Sequence, residues 1–201
     1  MSNDISSPKF WNNCYIKNDI GWDLGSITPV FKDWCDKLNG EKSIFVPGAG
    51  NGYDPLYFAK MGHDVTAVDF SDEAVANMKR KAKKNNIDIK IINEDIFKIP
   101  PELFFKFDYV IEYTCFCAID PFRRLHYIKM MHNVLKDKGS LVGLFLPLLK
   151  DKIEGGPPFA IDLDEVNNQF SGYFDVVKSF KHPLSIEPRN NNEQFIHFLK
   201  K

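Results

Sequence analysis

From Ser43 to the end of the chain, short apolar runs alternate with stretches of helical periodicity, and no other feature limits the fold as strongly. The runs at residues 43–46, 65–68, 87–93, 107–112 and 141–146 are rich in Val, Ile, Leu and Phe and have the length of buried strands. Between them lie helix signals. A short helix is expected over 54–61. Ser71 can N-cap a second one, with Asp72 and Glu73 in its first turn and Ala74, Val75, Met78 and Ala82 on one face. Asp120-Pro121 opens another, whose apolar face reads Leu125, Ile128, Met131 and Leu135, and Lys136-Asp-Lys-Gly139 reads as a turn. Strands joined through helices must run parallel. After a helix near 164–170, two last runs at 173–180 and 193–199 have no helix between them, which predicts an antiparallel hairpin. The expected fold class is therefore α/β: a doubly wound, mostly parallel sheet with helices on both faces and a C-terminal hairpin. Two further helices are expected at 8–17 and 29–38, the second burying Val30, Phe31, Trp34 and Leu38, with the loop Gly21-Trp-Asp-Leu-Gly25 between them. One domain, 1–201, is expected, with 1–40 as an N-terminal helical lid and 41–201 as the core.

Composition narrows the partners. The 26 basic residues are matched by 27 acidic ones, so no basic surplus exists for a nucleic-acid backbone. The one basic run, residues 79–84, suits the C-terminal half of a helix and a solvated face. No stretch approaches the roughly 20 apolar residues of a membrane span. The four cysteines are irregularly spaced, and the polar start lacks a leader-like apolar run, which together predict a soluble, cytoplasmic protein. Cys115 and Cys117 have no neighbouring His or further Cys, so no metal site is expected.

In sheets of this kind the ligand binds beyond the carboxyl ends of the strands, and the first strand–loop–helix carries much of the contact. That loop is Val46-Pro-Gly-Ala-Gly-Asn-Gly-Tyr-Asp54. Gly48, Gly50 and Gly52 let the backbone turn tightly and approach a ligand, with the next helix N-terminus facing an anionic group. A dinucleotide fold would more typically place its third glycine one position later. Asp69 ends the second strand nineteen positions after Gly50, the distance at which a carboxylate reaches ribose hydroxyls. Asp95, after the third strand, can accept from an adenine amine while Ile96 packs on the ring; a plain Asp turn explains the same residue.

These residues resemble the class I methyltransferases that use S-adenosylmethionine, and within them the thiopurine S-methyltransferase superfamily on its thiol and halide methyltransferase branch. Trp11-x-x-Cys14-Tyr15 with Gly21-Trp-Asp-Leu-Gly-Ser-Ile-Thr-Pro29 is similar to the N-terminal signature of that branch. The glycine loop resembles its cofactor loop, including a proline where most class I enzymes carry an acid. Residues 107–121 and Glu154-Gly-Gly-Pro-Pro-Phe159 resemble two further blocks. The resemblance implies a seven-strand Rossmann-like methyltransferase sheet that binds S-adenosylmethionine through Trp11, Tyr15, Trp22, Gly48, Gly50, Asp69, Asp95, Ile96 and Tyr113, with Gly52 closing the loop. Aromatic faces suit a sulfonium cation, at about 0.5–2 kcal/mol each. Two departures stand out: Tyr15 where the branch usually has Trp, and Ala49 and Asn51 where it has a small residue or Cys and then Gly.

Methyl transfer from a sulfonium is an in-line displacement, which asks chiefly for alignment in a water-poor site. The chain shows no catalytic triad, which suits an acceptor that is already a good nucleophile. The leading expectation is methyl transfer to a small thiol, sulfide or related soft nucleophile. Tyr113 and Arg123 are candidates for polarising the acceptor, and Phe116 and Phe159 for an apolar acceptor pocket. The residue that deprotonates the acceptor is left unassigned. The alternatives are an O- or N-methyltransferase of a small metabolite, which should need a clearer general base, a dehydrogenase on the same architecture, and a non-catalytic cofactor-binding module.

Overall fold

The protein is described by a computed structural model covering residues 4–201, so the first residues of the expected lid, Met1–Asn3, lie outside it. The described residues divide into two compact units, which meet in sequence between Lys98 and Ile99.

The first unit opens with α1 (Pro8–Lys17), capped by the Ser7 side chain and stopped at Asn18, which turns left-handed. Pro29 starts α2 (Pro29–Asp36), which buries Val30, Phe31 and Cys35, while Trp34 is half-buried edge-on to Phe58. Three parallel strands follow: β1 (Ser43–Pro47), β2 (Asp64–Asp69) and β3 (Lys90–Asn93), in the order β3-β2-β1. The helices α3 (Tyr53–Lys60) and α4 (Asp72–Lys84) connect them. Ser71 caps α4 by accepting from the Ala74 N–H, and Leu56, Ala67, Met78 and Ala82 close a buried cluster between helices and sheet. The third strand is shorter than its apolar run. Ile87 and Ile89 pack on that cluster as the lead-in, and the Ile87 N–H still bonds to Ala82 O at the end of the helix.

In the second unit β4 (Phe107–Tyr113) and β5 (Leu135–Phe145) run parallel, and β7 (Gln194–Lys200) pairs antiparallel with both β5 and β6 (Phe174–Phe180), giving the order β4-β5-β7-β6. The expected turn at residues 136–139 is a bulge inside β5: Phe107 faces Leu135 while Tyr109 already faces Ser140. Lys138 adopts φ +61°, and a Cβ on Gly139 would meet Lys136 O at 2.9 Å, so the residue types recognised as a turn produce an extrusion instead.

Helix α5 (Arg124–Val134) buries Ile128 and Met131 as expected but not the first residue of the expected face. It buries Arg124, Tyr127, Ile128, Met131 and Val134, whereas Leu125 is 46% exposed. A 3-10 turn, Pro121–Arg123, precedes it, so Leu125 falls at the exposed first turn of the α-helix, and Leu135 leaves the helix as the buried first residue of β5. Helix α6 (Leu163–Phe170) is capped by Asp162, which accepts from the N–H groups of Asp164 and Glu165. Much of the phenylalanine surplus is core here. Phe116, Phe145, Phe170, Phe174 and Phe198 pack ring against ring, with Phe170 and Phe198 stacked at 4.4 Å. Among the described residues no helix is long and apolar enough to cross a membrane, and no group of His, Cys, Asp or Glu could hold a metal ion.

Candidate active site

The first unit gathers most of the expected cofactor residues. After β1 the loop carries Gly48, Gly50 and Gly52, all at positive φ, into the N-terminus of α3. Its shape is fixed from β2: Ala49 N–H bonds to Val68 O, and Gly50 N–H donates to Asp69 Oδ2 at 2.8 Å. The other carboxylate oxygen of Asp69 accepts from Ser71 N–H at 2.9 Å, so one side chain ties the glycine loop to the cap of α4. Burial pushes the Asp69 carboxyl up from its ordinary pKa, and the N–H groups of Ser71, Gly50 and Phe70 pull it back. Three N–H donors take three of the roughly four lone-pair sites of the carboxylate, which leaves one for a hydroxyl donor.

The turn after β3 is joined to the same strand end, because Asp69 O accepts from Glu94 N–H and from the Asn93 amide, each at 3.2 Å. Asp95 itself accepts from Phe97 N–H at 3.0 Å, an Asx turn that opens the 3-10 segment Ile96–Lys98, and Ile96 is half-buried beside it. The local geometry thus contains the structural role anticipated for Asp95, with its second oxygen beyond that bond.

Over the loop stands an aromatic group from the N-terminal segment. Trp11 and Tyr15, one helical turn apart on α1, meet Trp22 edge-on at 5.4 Å and 5.9 Å. The Trp11 indole N–H is held by Ile5 O at 2.8 Å. Burial and the nearby Asp69 charge push the Tyr15 phenol up, while the Trp22 indole donates to its oxygen. A Cβ on Gly50 would lie 3.1 Å from the Tyr15 hydroxyl, so a side chain there would crowd the tyrosine. A carboxylate for hydroxyls, a glycine backbone and three aromatic faces fit the polar sugar and the cationic sulfur of S-adenosylmethionine.

The departure at Asn51 has a local consequence. Its amide donates to the Asp23 carboxylate of the loop after α1 and its carbonyl oxygen accepts from Asn77 of α4 at 2.8 Å, while Lys81 donates to Asn51 O at 2.9 Å. Nearby, both oxygens of Asp54 accept from Thr28, at 2.8 Å from its N–H and 3.0 Å from its hydroxyl. The N-terminal segment is thereby fastened to the glycine loop and to α3 and α4.

The remaining expected residues lie in the second unit. Tyr113 ends β4, and its hydroxyl donates to Glu193 Oε2 at 3.2 Å while the Arg189 guanidinium lies 4.9 Å from its ring centroid. Arg189 and Glu193 are buried, and burial pushes both the Glu193 carboxyl and the Tyr113 phenol up. These two partners were missed in the sequence, where the segment before β7 reads as an ordinary polar loop. Phe116 is buried between Tyr127, Phe145 and Phe170. Phe159 is half-buried, with its N–H on Cys117 O at 2.7 Å. Arg123 is half-buried in the turn before α5.

The family model for thiopurine S-methyltransferase matches residues 6–198. The chain belongs to that family. Its relatives include a probable thiol methyltransferase 2 and a thiocyanate methyltransferase 1 from Arabidopsis thaliana, each 30% identical over 189 residues, which cover 92% of this chain and 81% of the relative. Among solved structures, a Burkholderia thailandensis 1,6-didemethyltoxoflavin-N1-methyltransferase with bound S-adenosylhomocysteine superposes with a TM-score of 0.75 at 19% identity, over 96% of this chain and 86% of the other. The fold is thus the Rossmann-like methyltransferase fold, and membership of the family makes this protein an S-adenosylmethionine-dependent methyltransferase.

Proposed function

We propose that this protein transfers the methyl group of S-adenosylmethionine to the sulfur of a small thiol or a similarly soft nucleophile. Bound, the donor supplies an electrophilic methyl on a positively charged sulfur. Trp11, Tyr15 and Trp22 would face that charge, Asp69 would hold the ribose, and Asp95 and Ile96 the base. The observation that carries the reading is the Asp69 carboxylate, which supports the glycine loop and keeps acceptor capacity for a hydroxyl, with the Tyr15 hydroxyl close to Gly50 of the same loop. Sulfur as the acceptor is supported by the names of the family and of its plant relatives.

On the acceptor side the cluster of Tyr113, Arg189 and Glu193 is the best supported group. A guanidinium favours a thiolate over a thiol, because an adjacent positive charge lowers the thiol pKa. Burial raises the proton affinity of the Glu193 carboxylate, which suits it to taking up the proton released. Phe159 would close the apolar side, and Phe116 would support it from the core. Four free thiols, at Cys14, Cys35, Cys115 and Cys117, accord with work in a reducing cytoplasm.

Two measurements test the reading. Calorimetry should detect S-adenosylhomocysteine binding to the wild-type protein, and a mass-spectrometric screen with isotopically labelled cofactor should find the label on sulfur acceptors. Absence of binding, or label confined to oxygen and nitrogen acceptors, would refute it.

A further inference from the structure

Glu112 is the next-to-last residue of β4 and is 1% exposed, pointing to the opposite face of the sheet from Tyr113. Its Oε1 accepts two backbone N–H groups of the turn that follows, from Cys115 at 3.1 Å and from Phe116 at 2.7 Å. Its Oε2 accepts from the hydroxyl of Tyr127, a residue of α5 with no exposed surface. Between these contacts lies Thr114 at φ +62°. A β-branched residue in the left-handed region is strained, and such strain persists only where the surroundings over-determine it. The surroundings here do so: the Thr114 hydroxyl donates to Tyr113 O at 2.6 Å, Ala118 N–H bonds to Cys115 O at 2.9 Å, and Phe159 N–H bonds to Cys117 O at 2.7 Å.

We propose that Glu112 is a positioning residue for methyl transfer, its buried carboxyl holding the strained turn over residues 113–117 that aims Tyr113 at the acceptor cluster. The inference rests on the reading of Tyr113, Arg189 and Glu193 as the acceptor side. A buried carboxyl is costly to desolvate, and an apolar residue would fill the same space at less cost. What an apolar residue cannot do is satisfy the Cys115 and Phe116 N–H groups, which point inward at the one place where the turn must be fixed. The carboxyl also links the turn to α5 through Tyr127. At this strand end two carboxyl side chains therefore act on opposite faces: Glu193 receives the Tyr113 hydroxyl, and Glu112 sets the backbone from which Tyr113 projects.

The test compares Glu112→Gln, which keeps a carbonyl oxygen for both N–H groups, with Glu112→Ala, which removes it, in the full chain. Benzenethiol serves as acceptor and S-adenosylhomocysteine as the cofactor probe. Glu112→Ala should raise the acceptor KM at least about 10-fold, leave the S-adenosylhomocysteine Kd within about 2-fold, and speed amide exchange at Cys115 and Phe116 at least about 10-fold. Glu112→Gln should stay within about 3-fold of wild type in all three, since the acceptor oxygen that fixes the turn is retained. Tyr127→Phe, which loosens Glu112 without touching the turn, should move KM and exchange in the same direction by a smaller factor, and carries the test if Glu112→Ala does not fold. An unchanged KM, a KM and Kd that move together, or a Gln variant as impaired as the Ala variant would each overturn the proposal. Failure of the wild-type protein to methylate sulfur would instead count against the proposed function, and the amide exchange of Cys115 and Phe116 would still decide whether Glu112 holds the turn.

Discussion

The Asp69 carboxylate receives the Gly50 N–H at 2.8 Å across nineteen residues of sequence, so the residue expected to bind ribose is also a strut of the loop. Replacing it by Asn keeps one acceptor oxygen and sets an NH2 group against an N–H donor, either that of Gly50 or that of Ser71. A hydrogen bond to a charged group contributes about 1.5–3 kcal/mol, so Asp69→Asn should weaken S-adenosylhomocysteine binding by about 10- to 100-fold in calorimetry. Asp69→Ala should lose at least as much. An Asn variant with wild-type affinity would mean that the carboxylate serves the loop alone.

Gly52 is where the loop tolerates least. It stands at φ +78°, and a Cβ there would lie 2.3 Å from Met78 Cγ, whose side chain is fully buried. Gly52→Ala combines left-handed strain with overpacking and should destabilise the fold by about 2–4 kcal/mol. Differential scanning calorimetry would then show a Tm lowered by roughly 5–15 °C. In a Met78→Ala background, which has its own cost, Gly52→Ala should lose only the strain part relative to Met78→Ala alone. No loss in that background would show that φ carries no cost.

The unevenness of what the sequence reveals has a physical basis. Periodicity and capping residues exposed the strands, α1 to α4 and the closing hairpin, and in α2 to α4 the buried face is written in residue type. It failed at Leu125, which a 3-10 turn places at the exposed start of the helix, and at residues 136–139, where turn-like residues are extruded from a strand without ending it. In the site, the glycine loop and Asp69 were legible because close backbone approach and a strand-end acid have fixed spacing. Arg189 and Glu193 were not, since the polar segment before β7 has no period and becomes buried only through tertiary contact with Tyr113. Glu112 was hidden differently. One acid inside an apolar strand carries no sign of the turn whose N–H groups it satisfies.

Asn51 should govern how fast the cofactor product leaves. It bridges Asp23 in the loop after α1 and Asn77 in α4, and Gly25 N–H also donates to Asp23 at 2.6 Å. Losing this latch, one charge-assisted hydrogen bond to Asp23 and one neutral bond to Asn77, should shift the opening equilibrium by roughly 5-fold or more. Stopped-flow tryptophan fluorescence, with Trp11 and Trp22 as reporters, should show S-adenosylhomocysteine leaving Asn51→Gly and Asp23→Ala several-fold faster. The double variant should be no faster than the more impaired single one, because both sit on one linkage. Additive effects of the two would break the latch into independent contacts.

Glu112 gives a pH dependence whose sign can be worked out. Burial pushes its carboxyl from an ordinary 4.5 up to about 7, against the pull of the Phe116 and Cys115 N–H groups and the Tyr127 hydroxyl. The folded protein therefore keeps this proton at pH values where the unfolded chain has released it. Between about pH 4.5 and 7 the folded state binds more protons, so by linkage the contribution of Glu112 to stability falls as pH rises through that window. Below the window both states hold the proton, and above it neither does. The whole fall is at most about 3 kcal/mol. Glu112→Gln has no proton to release and should lose this slope, becoming more stable relative to wild type toward neutral pH. Urea midpoints measured in half-unit steps across the window would show it. Asp69 and Glu193, whose carboxyls burial also pushes up, titrate in both proteins and cancel in the difference. Parallel stability curves for the two proteins would place the Glu112 carboxyl at its unfolded affinity and remove the pH dependence.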